Sequence, residues 1–176
     1  MEPDNKNLIT FRKPTINDGA EIYELIKQSP PLDLNSSYLY FLQATHFADT
    51  CVVAVQNEEI IGFISAYFRP DEKDSLFVWQ VAVAEKARGQ GLGRQLLYRL
   101  VKNQERRPTV TEICCTISPS NKASQSLFKS FAEQYRLTMS VETFLQEKHF
   151  GDLGHEAEEL YSLRAPYNQN LINTLF

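Results

Sequence analysis

The chain is poor in the residues that staple or metallate small proteins. Its 176 residues hold three cysteines (Cys51, Cys114, Cys115) and three histidines (His46, His149, His155). An odd cysteine count with two adjacent members makes a poor disulfide framework. Neither Cys-x-x-Cys nor His-x-x-x-His occurs, so the usual ligand spacings are missing and no metal is expected. A cysteine nucleophile has no histidine partner in any motif. Cys114 and Cys115 instead sit in an apolar run, where a thiol acts as a small buried hydrophobe. No apolar stretch approaches the ~20 residues needed to span a bilayer, so no membrane partner is expected. Positive charge is not in excess: 18 Lys and Arg against 22 Asp and Glu give a net charge of −4. That balance argues against a nucleic-acid partner. The first ten residues, MEPDNKNLIT, are acidic and polar, unlike a secretory leader, and a cytoplasmic protein is expected.

What is present is ordinary globular composition, 43% apolar and 23% charged. The length suits one domain, expected to span 1–176 with tails at 1–7 and 167–176. LITFRKPT reads as a first strand. INDGAEIYELIKQ reads as a helix, with Asp18 and Glu21 spaced as a capping box and Ile22, Leu25 and Ile26 on one stripe. Pro30 and Pro31 stop it. A second helical run starts near Ser36 or Ser37 and carries Leu39, Leu42 and Phe47. TCVVAVQNEEIIGFISAYF reads as a hairpin turning at QNEE. SLFVWQVAVA is a further strand, with Phe77, Val78, Val81, Ala82 and Val83 apolar on both faces as in a central strand. GLGRQLLYRLVKNQ is an amphipathic helix. TEICCTIS is a strand, NKASQSLFKSFAEQ a helix with Leu127, Phe128 and Phe131 inward, and YRLTMSVETF and EELYSLRAP late strands. The sum is an α/β (α+β) fold: a mixed, mostly antiparallel central sheet flanked by helices.

VAVAEKARGQGLGRQLL is the most informative stretch. A strand runs into a glycine-rich turn that opens a helix. Successive N–H groups in such a turn form an anion nest, and the helix N-terminus adds partial positive charge. Gly89, Gly91 and Gly93 keep side chains out of the way, and Arg88 and Arg94 supply charge. The expected guest is a phosphate or pyrophosphate. No Gly-Lys-Ser/Thr follows, and Arg94 and Leu96 stand where a dinucleotide fingerprint needs its last glycine.

The segment Arg88-Gly89-Gln90-Gly91-Leu92-Gly93, after a strand ending VAV, resembles the acyl-CoA pyrophosphate motif of the GNAT acetyltransferase superfamily. NKASQSLF resembles its second CoA motif. The resemblance implies a GNAT fold and acetyl-CoA as cosubstrate. The pantetheine arm would lie along the backbone of Val81, Ala82 and Val83, and the pyrophosphate on the amides from Gly89 to Arg94. Asn121, Lys122, Ser124, Phe128 and Lys129 would complete the cofactor contacts. A backbone N–H near Val81 would meet the developing oxyanion. Many members carry a tyrosine, to protonate the leaving thiolate, where this chain has Phe128. Tyr135 is one substitute.

Three further blocks, PPLDLNSSYLY, FVWQVAV and HFGDLGHEAEELY, together resemble the L-2,4-diaminobutyrate acetyltransferases of ectoine biosynthesis. That resemblance implies acetyl transfer to the 4-amino group by direct attack of the neutral amine, in a cytoplasmic homodimer. It points to Asp33 and Glu158 as partners of the ammonium groups, with Glu158 preferred over Glu156 and Glu159 by resemblance alone. Asn35 and Tyr38 would face the amino-acid end. Trp79 would wall the chain or stack on an ammonium, and His155 would bind substrate or pass a proton. A protein N-acetyltransferase and a non-catalytic acyl-CoA-binding module are the other readings left open.

Overall fold

The structure, a computed structural model, describes residues 8–106 and 109–175; the expected tail at 1–7 lies outside them. Chain order is β1 (Thr10–Arg12), α1 (Gly19–Lys27), α2 (Ser37–Gln43), β2 (Cys51–Gln56), β3 (Glu59–Phe68), β4 (Ser75–Val83), α3 (Leu92–Lys102), β5 (Glu112–Ile117), α4 (Lys122–Gln134), β6 (Thr138–Leu145) and β7 (Glu158–Arg164). The strands form one sheet in the order β1-β2-β3-β4-β5-β7-β6. β1 with β2, β2 with β3, β5 with β7 and β7 with β6 pair antiparallel, while β4 and β5 run parallel. A parallel pair needs a long crossover, and the segment carrying α3 supplies it. The expected mixed, mostly antiparallel sheet with helices is therefore present. The chain divides into two compact units, Met1–Tyr67 with Gln80–Gln104, and Phe68–Trp79 with Glu105–Phe176.

In the first unit, α1 turns Ile22, Leu25 and Ile26 onto a cluster that includes Cys51, Val53, Phe63 and Ala82. The capping expectation fails here. Asp18 does not pair with Glu21: it closes the preceding 3-10 turn by accepting from the Thr15 N–H at 2.6 Å. Glu21 reaches across the unit instead and accepts the Ile60 N–H at 2.6 Å. α2 also differs from its expected pattern, because the helix ends at Gln43 and Phe47 stays exposed. Its inward residues are Tyr40, Gln43 and then Ala44. The β2–β3 hairpin turns at Asn57 and Glu58, with φ of 52° and 66°. Two consecutive left-handed residues are what a two-residue hairpin matched to strand twist requires.

β4 carries a clean two-residue alternation, so the expectation of two apolar buried faces is corrected. Leu76, Val78, Gln80 and Ala82 are buried, Phe77, Val81 and Val83 are half-buried, and Trp79 is 48% exposed. Its first five residues belong to the second unit and its last four to the first.

In the second unit, a buried carboxylate ties three strands. Glu112 of β5 is 1% exposed; it accepts from the Ser75 hydroxyl and pairs with Arg164 of β7 at 3.0 Å. A charge so buried must be matched, or it costs several kcal/mol (roughly 3–5). The expected C-terminal appendage is in fact built in: Leu171 and Leu175 are fully buried, and the Leu171 N–H donates to the Val110 carbonyl at 2.7 Å.

Arg12 meets both oxygens of the buried Asp18, at 2.7 and 2.8 Å. Those bonds hold the Asp18 carboxyl below its ordinary range, against the opposing effect of burial. A depressed carboxyl contributes stability that is present above the unfolded value near ~3.9 and lost as pH falls through the folded one. Asp18→Asn is therefore expected to cost about 1–2 kcal/mol at pH 6. Urea unfolding repeated at lower pH should show that difference shrink as the carboxyl protonates.

Candidate active site

The glycine turn forms as a bend of two left-handed residues. Gly89 and Gly91 have φ of 75° and 74°, a conformation that costs other residues about 1–2 kcal/mol. A Cβ at Gly89 would meet nothing within 4 Å, and one at Gly91 would meet the Arg94 guanidinium at 3.5 Å. The turn is thus open on one side and bounded by a cation on another. Gly93 lies within the first turn of α3, whose N-terminus has neither a side-chain cap nor an acidic residue. The first N–H groups of a helix have no partner within it, and an N-terminus without an acidic cap suits an anion. The Arg88 Nε donates to the Val83 carbonyl at 3.1 Å, which pins the guanidinium to the end of β4. Gln90 donates to the Lys86 carbonyl at 3.3 Å and tightens the turn. Val81, Ala82 and Val83 run directly into it.

The same unit holds the 30–35 loop. Asp33 is exposed, and its backbone carbonyl accepts from Gln80 at 2.7 Å. The Asn35 N–H donates to the Tyr40 hydroxyl at 3.2 Å. Tyr38 projects outward from α2, 69% exposed. Sequence reasoning singled out Tyr38 but passed over Gln80 and Tyr40. A lone amide at an inward position of an apolar strand was the signal for Gln80. Tyr40 gave none beyond its place on α2.

The second unit carries the other candidates. Asn121 caps α4, its Oδ1 accepting the Ser124 N–H at 3.1 Å, so its amide NH₂ is the part left for a ligand. Lys122 reaches Gln125 at 3.3 Å, and Lys129 is exposed. Phe128 is 3% exposed and, like Phe131, buried on α4 as expected, whereas Leu127, expected with them, is half-buried. Tyr135 lies against the Phe131 ring at a centroid distance of 4.8 Å.

His155 and its three acidic neighbours are sorted by geometry. The His155 Nδ1 lies 2.8 Å from the Glu156 carbonyl. A carbonyl only accepts, so Nδ1 carries a proton and Nε2 is the ring nitrogen on the opposite side. That Nε2 faces the Glu158 carboxylate at 3.9 Å. The His155 ring stacks on Phe150 at 4.2 Å. Glu156 is committed elsewhere: it accepts the Ser120 N–H at 3.1 Å, and the Ser120 side chain first, with that N–H, lowers its carboxyl's pKa. Glu159 accepts from the Tyr161 hydroxyl at 3.4 Å. Glu158, largely buried at the start of β7, is the acid left facing the histidine.

All three thiols are buried. Desolvation pushes Cys51 up to about 12, and likewise raises Cys114 and Cys115. Among the described residues, no group of three or more His, Cys, Asp or Glu side chains is placed to hold a metal.

A strand followed by a left-handed glycine turn and an uncapped helix has the geometry of an anion nest. The family model for the acetyltransferase (GNAT) family matches residues 19–132. The L-2,4-diaminobutyric acid acetyltransferase of Marinococcus halophilus is 45% identical over 150 residues, covering 85% of this chain and 86% of that protein. Its counterpart in Vibrio cholerae serotype O1 is 44% identical over 153 residues, covering 87% of this chain and 88% of that one. The solved diaminobutyrate acetyltransferase from Paenibacillus lautus, in complex with its substrate L-2,4-diaminobutyric acid and coenzyme A, matches with a TM-score of 0.85 at 40% identity, over 90% of this chain and 95% of that one. The chain belongs to the GNAT acetyltransferase family and, within it, to the L-2,4-diaminobutyric acid acetyltransferases.

Thiols this deeply buried are not nucleophiles near neutral pH. Iodoacetamide at pH 7.5 is expected to leave all three cysteines unmodified in the folded chain and to alkylate them in 6 M guanidinium, as read by intact mass.

Proposed function

We propose that this chain transfers the acetyl group of acetyl-CoA to the 4-amino group of L-2,4-diaminobutyrate, giving N4-acetyl-L-2,4-diaminobutyrate, the acetylation step of ectoine biosynthesis. The observation that carries the reading is the turn at 88–94, with left-handed Gly89 and Gly91 opening an uncapped α3. Its amides, with Arg88 and Arg94, take the CoA pyrophosphate, and the backbone of Val81, Ala82 and Val83 takes the pantetheine arm as an added strand would. The amide NH₂ of Asn121, together with Lys122, Ser124 and Lys129, supplies the outer contacts. Phe128 has no ionisable proton, so the acid that many relatives carry at this position is missing. A CoA thiolate is a good enough leaving group to depart without it.

The substrate's two ammonium groups are met by Asp33 and Glu158, while Asn35 and Tyr38 face the amino-acid end and Trp79 walls the four-carbon chain. The 4-ammonium must lose a proton before it can attack. Its ordinary pKa near ~10.4 makes that a gap of roughly 4–5 kcal/mol at pH 7. Glu158, with the His155 Nε2 at 3.9 Å from it, accepts the proton. The amine nitrogen then bonds to the thioester carbon, with the Val81 N–H steadying the oxyanion. The carbon–sulfur bond breaks, the nitrogen sheds its second proton as it becomes an amide, and the departing thiolate takes up that proton by way of solvent.

The family match over residues 19–132 takes in residues of both units, which supports reading 1–176 as one domain. The working form is a cytoplasmic homodimer. Edge strand β6 supports this, since none of its residues is fully buried and Val141 and Phe144 are 44% and 53% exposed. An exposed apolar edge is a surface that a second copy would cover.

Thiol release from acetyl-CoA tests the activity, and turnover of other diamines or of peptides with none of diaminobutyrate would overturn it. Asp33→Ala and Glu158→Ala are expected to raise KM for diaminobutyrate at least tenfold (about 1.4 kcal/mol) and to leave KM for acetyl-CoA within about twofold. Gly91→Val should do the reverse, because its left-handed φ and added bulk spoil the cradle. Sedimentation should find Phe144→Glu at the mass of a single chain and the unsubstituted protein at twice that mass.

A further inference from the structure

The 30–35 loop begins with two prolines and belongs to no helix or strand. Besides the bond from the Leu32 N–H to the Ser29 carbonyl, three contacts tie it to the rest of the unit. Leu32 packs against the core of the first unit. The Asp33 carbonyl accepts from Gln80 at 2.7 Å, and the Asn35 N–H donates to the Tyr40 hydroxyl at 3.2 Å. Both polar anchors are buried: Gln80 is 5% exposed and Tyr40 is fully covered. The backbone that follows the Asp33 side chain is thus pinned to two elements, β4 and α2, while Asp33 itself stays at the surface.

Gln80 carries a second anomaly. Its Oε1 is buried and, among the described residues, has no hydrogen-bond partner. A buried acceptor without a donor weighs against folding. A residue placed only for stability would be better apolar at this inward position, flanked along the strand by buried Val78 and Ala82. What the amide does supply is a donor aimed at one atom of the loop.

We propose that Gln80 is a positioning residue for diaminobutyrate: by holding the Asp33 carbonyl it sets where the Asp33 carboxylate stands, with Tyr40 as the second clamp. The inference rests on the reading of Asp33 as an ammonium partner. It adds that recognition depends on an amide that does not itself touch the substrate. The orphaned Oε1 makes the role separable from folding. Gln80→Met keeps the volume and removes donor and orphan together, so it should weaken recognition without weakening the fold. Tyr40→Phe removes only the hydroxyl.

The experiment measures KM for both substrates, kcat and Tm for Gln80→Met, Tyr40→Phe and Asp33→Ala in the full chain. The expected result for Gln80→Met is a rise in KM for diaminobutyrate on the order of tenfold, short of the roughly hundredfold that a displaced catalytic geometry can cost. KM for acetyl-CoA and Tm should be unchanged or, for Tm, higher. Tyr40→Phe should show a smaller change of the same kind. An unchanged KM for diaminobutyrate in Gln80→Met, alongside a raised one in Asp33→Ala, overturns the proposal and leaves the reading of Asp33 standing. An unchanged KM in Asp33→Ala overturns that reading and the proposal with it. A lowered Tm with both KM values raised in Gln80→Met assigns the amide a structural role and also overturns the proposal.

Discussion

The pleat of β4 is the constraint from which the chemistry follows. Side chains alternate across a strand, so a strand can pack with one face and stay open with the other only if its sequence keeps that period. β4 keeps it from Leu76 to Val83: Val78, Gln80 and Ala82 go inward, while Trp79, Val81 and Val83 do not. A slip of one residue would bury Trp79 and turn Gln80 out to solvent. It would undo the proposed substrate wall and the loop anchor together. The strand then runs through a short 3-10 turn into the glycine bend, so the same register fixes where the α3 amides begin.

Around that strand, polar side chains act as pins rather than as sources of stability. Gln80 holds a carbonyl of the 30–35 loop. Glu112 joins Ser75 and Arg164. Glu21 bonds the first N–H of the hydrophobic run on β3. Hydrophobic packing is non-directional and would tolerate small shifts of these segments. A hydrogen bond at a buried atom tolerates far less, because a missed partner leaves a desolvated charge or dipole. The turn, the loop and the strand ends are the places where position matters to a reaction, and they are where such bonds occur.

The segment 155–159 shows how geometry assigns roles that composition leaves equal. Glu156, Glu158 and Glu159 are chemically identical and nearly adjacent. The Ser120 amide takes Glu156 and the Tyr161 hydroxyl takes Glu159, leaving Glu158 opposite the His155 Nε2. The tautomer follows from a carbonyl on the far side of the ring. Each assignment depends on a group distant in sequence or on the path of the backbone.

Local chemistry was readable from the sequence because it is written in neighbours. β-rich apolar runs marked β2 to β5, apolar stripes marked α1, α3 and α4, and the glycine spacing at 89–93 marked the turn that opens α3. These signals act within a few residues, through Cβ sterics and amide direction. The partners of polar side chains were decided by tertiary structure alone. Asp18 took Thr15 and Arg12 instead of forming a box with Glu21, Tyr40 rather than Tyr38 went inward, and the terminal Leu171 and Leu175 packed into the second unit. A carboxylate or amide bonds whatever donor or acceptor the fold brings within about 3 Å. That distance is set by how the elements pack, which no short stretch of sequence encodes.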